Sequence, residues 1–102
     1  MKVRNMMSDK GNKVPNQFII TTKTKEGNKV KYFQSYETLI VKVIYNDLGS
    51  DVVETLLDKD YYNYSKTTSK YRHKFLLGIY NRPLYTNDYH GFIYTSLNEG
   101  EE

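Results

Sequence analysis

Tyr61 to Tyr80 reads YYNYSKTTSKYRHKFLLGIY, and it decides the fold: it carries a helix, the densest tyrosines and a run of cations with no acid among them. With Tyr71 at zero and about 100° per residue, Tyr71, Phe75 and Ile79 fall on one stripe with Leu76 at its edge, while Lys70, His73 and Lys74 point elsewhere. Thr67, Thr68 and Ser69 offer hydroxyls to cap the first turn. Asn81 and Pro83 end the helix, since proline disfavours helical geometry in the residue before it. The pattern predicts an amphipathic helix laid on a sheet.

Periodicity does not account for the charge at the start of this helix. A helix N-terminus carries partial positive charge and usually attracts Asp or Glu. Here Lys66, Lys70 and Arg72 surround it, with Lys74 one turn on. Free N–H groups, hydroxyls and cations together describe an anion-friendly surface; the competing reading is a solvated basic face neutralised by acids from the sheet. Tyr62 and Tyr64 lie just upstream. Aromatic faces stack bases while cations hold phosphates, and tyrosine and arginine also make protein hot spots. Tyr62, Tyr64, Lys66, Thr67, Thr68, Lys70, Arg72 and Lys74 are therefore the expected binding residues. Lys29, Lys31, Tyr32 and Tyr36 echo the pattern upstream.

Working outward, QFIITTKT (Gln17 to Thr24) alternates around β-branched residues and predicts a strand. Lys25-Glu26-Gly27-Asn28 supplies a turn, and KVKYFQSY (Lys29 to Tyr36) returns, with Lys29, Lys31, Phe33 and Ser35 on one face and Val30, Tyr32, Gln34 and Tyr36 on the other. TLIVKVIY (Thr38 to Tyr45) has the Val/Ile density of a central strand, and Lys42 within it implies that one face reaches solvent. VVETLL (Val52 to Leu57) predicts a fourth strand, with a short helix as competitor. These elements give an α+β fold: a small antiparallel sheet of about four strands with one packed amphipathic helix. Residues 1–16 read as a flexible basic arm, 17–80 as the α+β domain, 81–97 as a C-terminal extension with a candidate edge strand at Phe92 to Thr95, and 98–102 as an acidic tail.

A chain of 102 residues is one domain with one modest core. Its mean hydropathy is −0.73, and no run approaches the roughly 18 apolar residues of a membrane span. No apolar segment follows the positive Met1 to Arg4, so no signal peptide is expected. There is no cysteine, which excludes disulfides and thiolate metal sites. His73 and His90 have no partner at metal-ligand spacing, and no nucleophile elbow, P-loop or zinc-protease motif occurs. No cofactor and no catalytic residue are expected. The net charge of +3 conceals segregation: residues 1–35 carry +6, 36–60 carry −4, 61–82 carry +5 and 83–102 carry −4. Alanine and tryptophan are absent while lysine, asparagine, tyrosine and isoleucine abound, as A/T-rich codons favour, which points to a low-GC genome.

YFQSYETLIV (Tyr32 to Val41) and YYNYSKTTSKYRHKFL (Tyr61 to Leu76) resemble a small uncharacterised domain of phage and low-GC bacterial proteins. In that domain a Tyr-Ser-x-Thr-Thr-x-Lys-Tyr-Arg pattern opens the helix; here it is Tyr64, Ser65, Thr67, Thr68, Lys70, Tyr71 and Arg72. The resemblance spans about residues 17–77 and brings no activity with it. By size and origin it suggests a phage protein acting in the host cytoplasm as an inhibitor of host defence, anti-CRISPR-like, occluding a nucleic-acid-handling protein complex. Direct binding of single-stranded nucleic acid is the alternative.

Overall fold

A computed structural model describes residues 1–99 of the chain, and the tail residues 100–102 lie outside the described residues. Six strands form one sheet in sequential order: β1 (Lys2–Met7), β2 (Lys13–Lys23), β3 (Lys29–Ser35), β4 (Thr38–Tyr45), β5 (Val52–Asp58) and β6 (Ile93–Thr95). The helix α1 (Lys66–Tyr80) lies between β5 and β6 in the chain, followed by one 3-10 turn at Thr86–Asp88. β1 to β5 pair antiparallel, and β6 pairs parallel to β5.

The expected four-stranded antiparallel sheet is therefore corrected to a six-stranded mixed one. The segment expected as a flexible basic arm supplies β1 and the start of β2. Its turn closes through Ser8 N–H to Asn12 O and Gly11 N–H to Ser8 O, with Gly11 at φ 83°. β1 gives one side chain, Met6, to the core and is otherwise largely exposed at the edge of the sheet. Pro15, which cannot donate to a ladder, sits in the exposed start of β2 beside Asn16 at φ 66°. β6 is parallel because the helix returns the chain across the sheet before it pairs.

One face of the sheet is closed by α1. Ile19, Phe33, Val41 and Leu57 stand in register across β2 to β5 and so share that face. Phe33 stacks on Phe75 with centroids 5.9 Å apart, and Tyr71, Phe75 and Leu76 complete the core with Leu84 and Tyr89 from beyond the helix. A bulge in β4 skips Ile40 in the pairing with β3, so Ile40 and Val41 are both fully buried. The opposite face carries Phe18, Ile20, Tyr32, Lys42, Ile44 and Leu56, all half-buried, with the Lys42 ammonium 5.8 Å from the Tyr32 ring. Lys42 thus marks the open face.

Ser65, not the residues expected at 67–69, is the N-cap: its side chain accepts from Thr68 N–H at 3.1 Å. Asn81 ends the helix in the left-handed region at φ 58°, its N–H bonded to Leu77 O. Among the described residues no helix is long and apolar enough to cross a membrane. The basic block lies on β1 to β3, while the exposed acids of residues 36–60, Glu37, Asp47, Asp51 and Asp60, lie in the loops around β4 and β5; α1 contacts β2 and β3.

Candidate binding site

The loop between β5 and α1, Lys59 to Ser65, is rich in tyrosine and would be floppy in isolation. Two buried charged residues hold it. Asp58, 1% exposed, ends β5. Its Oδ2 accepts from the N–H groups of Asp60 (3.1 Å) and Tyr61 (3.0 Å), a local turn that a carboxylate stabilises in its own chain. Its Oδ1 accepts from Leu97 N–H (2.8 Å) and Asn98 Nδ2 (3.0 Å). Asn98 in turn bridges the backbone of Leu39. The buried anion is thus met by four N–H donors.

Arg72, 6% exposed, reaches the loop from the helix. Its Nε donates to Tyr89 Oη at 3.0 Å, and its Nη1 donates to Tyr62 O and, at 3.4 Å, to Asn63 Oδ1. The guanidinium carbon lies 5.7 Å from the Tyr62 ring centre and 5.8 Å from that of Tyr89. Among the described residues no carboxylate lies within ion-pair distance of it. Its charge is compensated by dipoles and ring faces.

What this scaffold presents is a pair of exposed tyrosines. Tyr61 is 42% and Tyr64 49% exposed, and their rings meet edge to face at 5.4 Å. Tyr62 turns the other way, half-buried, its ring 5.1 Å from that of Tyr94. Burial, then the neighbouring phenols of Tyr62 and Tyr89, push the Tyr94 hydroxyl above its ordinary pKa. Beside Tyr64 a shallow hollow of about 310 Å³ is lined by Asn63, Ser65, Lys66 and Ser69, and the Ser69 hydroxyl donates to Asn63 Oδ1 at 2.9 Å.

The eight expected residues separate into two groups. Tyr64, Lys66, Thr67 and Lys70 are exposed at the helix start. Thr68 and Arg72 face inward: Thr68 is fully buried and its hydroxyl meets that of Ser35 at 2.9 Å. Tyr62 is half-buried, and Lys74 is bonded to Asp9 at 2.7 Å. Lys70 and Lys74 place their ammonium groups 5.4 and 5.6 Å from the Tyr71 ring. Of the cations expected to grip phosphate, Lys66 and Lys70 remain open, and Arg72 serves as an internal tie. Tyr61 belongs to the surface and was not among the expected residues; Asp58, two residues before Asp60 and followed by tyrosines, is the signal that a fixed turn would lift it out.

His73 is occupied structurally, its Nδ1 3.1 Å from Leu84 O and its ring stacked on Tyr85. Among the described residues no group of three His, Cys, Asp or Glu side chains is placed to hold a metal ion.

No curated protein and no solved structure matches the chain. A family model matches residues 1–90, well beyond the 17–77 of the resemblance, and includes β1 and the turn after the helix. The chain belongs to a family of unknown function, DUF8033.

Proposed function

We propose that this is a non-enzymatic binding protein that recognises a protein partner through the fixed tyrosine loop, with Tyr61 and Tyr64 as anchors and Lys66, Thr67 and Lys70 as the polar rim. The observation that carries the reading is the pairing of exposure with rigidity: two tyrosines stand 42% and 49% open on a loop tied from beneath by Arg72 and Asp58. Large aromatic area on a preorganised loop loses little entropy on binding, which is how protein hot spots gain affinity. The finer reading is a phage-type inhibitor that occludes a nucleic-acid-handling host defence complex in the cytoplasm. It draws support from the small size, the A/T-favoured residue usage and the exposed acids Glu37, Asp47, Asp51 and Asp60 in the loops around β4 and β5, which complement a basic nucleic-acid channel.

Direct binding of single-stranded nucleic acid is the second reading, favoured by one observation: Lys66, Lys70 and Lys74 recur every fourth residue along one flank of α1, spanning about 12 Å at 1.5 Å per residue. Lys74 is already paired with Asp9. Two open lysines limit the log–log salt slope to about −1.4, at about 0.7 per phosphate neutralised. Titration with fluorescent oligonucleotides at several salt concentrations separates the readings. The protein-directed one predicts no saturable binding at physiological salt. Saturable binding that weakens as salt rises, and weakens further on Lys66→Ala and Lys70→Ala, establishes the other.

A further inference from the structure

A second surface lies at the edge of the sheet, away from the tyrosine loop. Among the described residues no strand covers the outer side of β1, so part of its backbone N–H and C=O groups are free. Between β1 and α1 is a cleft of about 110 Å³ with Met6, Phe75 and Ile79 in its walls and Arg4, Lys31 and Lys74 among them. Arg4 pairs with Ile19, which pairs with Phe33, so Arg4 and its alternate neighbour Lys2 share the face that α1 covers. Asp9 is the acid held here, on Lys74 at the rim. Lys31 is half-buried, and burial together with the charges of Lys29 and Arg4 pushes its ammonium below the ordinary lysine pKa, a mark of cations that lack a counter-charge.

Gly78 borders the same cleft. A glycine inside a helix weakens it, yet a Cβ here would meet nothing within 4 Å and the backbone is not left-handed. Packing does not require glycine at this place; an open cleft mouth does use it.

We infer that the outer edge of β1 and its cleft are a docking site for an extended acidic segment of a protein partner, which adds to the sheet as a seventh strand. Backbone pairing with β1 supplies the affinity. Carboxylates at alternate positions of the added strand face Lys2 and Arg4 and reach Lys31. A short aliphatic side chain at the next alternate position, opposite Met6, shares their face and fills the cleft over Met6 and Ile79. The charge selects the occupant: a second copy would bring its own Lys2 and Arg4 against this edge, and like charges disfavour that pairing. This inference does not depend on the tyrosine loop.

The test is a fluorescein-labelled octapeptide TVTETETS, whose Val and two Glu side chains share one face of a strand, titrated into the full chain by anisotropy, with amide exchange read on β1. Saturable binding is expected, with slowed exchange of β1 amides. Binding should weaken at least tenfold in the Arg4→Glu, Lys31→Glu double variant and in Gly78→Leu, and a peptide with proline at its centre should not bind. Gly78→Leu decides the matter should the charge reversals unfold the chain. Absence of saturable binding overturns the proposal, as does binding that survives Gly78→Leu or leaves β1 exchange unchanged. An oligothymidylate of equal length binding as tightly, or sedimentation showing β1-dependent self-association, overturns it in favour of a phosphate chain or a second copy.

Discussion

Arg72 Nε donates to the hydroxyl of Tyr89 at 3.0 Å inside the protein, joining the middle of α1 to the turn that follows it. The same guanidinium donates to Tyr62 O in the loop that precedes the helix. One side chain thus ties both flanks of α1, and its planar fork of donors makes this possible.

Replacing Arg72 by Met leaves a buried hydroxyl and a carbonyl without their donor, and each such group costs about 1–3 kcal/mol. Denaturant melts of Arg72→Met should show a loss of about 2–6 kcal/mol for the two groups together, and Arg72→Lys should not restore it, since a single ammonium cannot reach both partners. Amide exchange at residues 61–64 should rise more than exchange in β3 and β4. Uniform loosening would mean that Arg72 is ordinary core and not a tie on the loop.

Phe75 is 3% exposed and stacked on Phe33. Phe75→Ala should destabilise by about 3–5 kcal/mol, the range for truncating a buried aromatic. A loss below about 1 kcal/mol in urea unfolding would place the helix on the wrong face of the sheet.

Much of this was legible. Thr38 to Tyr45 is rich in Val and Ile, and β4 has those bounds; the β2–β3 hairpin and the stripe of Tyr71 and Phe75 follow from alternation and helical period. The candidate edge strand at Phe92 to Thr95 is β6, whose parallel pairing with β5 only the crossover sets; β1 was hidden because KVRNMM lacks the apolar alternation of a strand buried on one face. The inward turn of Thr68 and Arg72 could have been read. On the wheel that puts Tyr71 at zero they fall at about 60° and about 100°, between Phe75 and Leu76. Polarity argued them outward; the loop and the turn that fold over Arg72 are tertiary, and no local pattern announces them.

The ion pair of Lys74 with Asp9 pins the β1–β2 turn to the helix. The hydrogen bond from Lys74, then its charge, hold the Asp9 carboxyl below its ordinary pKa. A depressed folded-state carboxyl contributes stability that is present above the unfolded value, about 3.9 for Asp, and lost as pH falls through the folded one. Lys74→Met should therefore melt below the parent at neutral pH, and the gap should close as pH falls from the ordinary aspartate value, about 3.9, through the lowered Asp9 one. Added salt should narrow the neutral-pH gap because Asp9 is exposed. A gap independent of pH would assign the Lys74 effect to its stem packing on Tyr71.

The most direct measurement is of the tyrosine loop itself. Tyr61→Ala with Tyr64→Ala removes two exposed rings and leaves Arg72 and Asp58 in place, so the fold should melt within a few degrees of the parent. Tagged parent and variant are used to capture partners from nuclease-treated host lysate, and the captured protein is then purified and titrated with each. The account predicts saturable binding by the parent and a loss of at least about 2 kcal/mol in the variant, the scale of a hot spot. Equal affinity of parent and variant for that protein, with both folded, would contradict it.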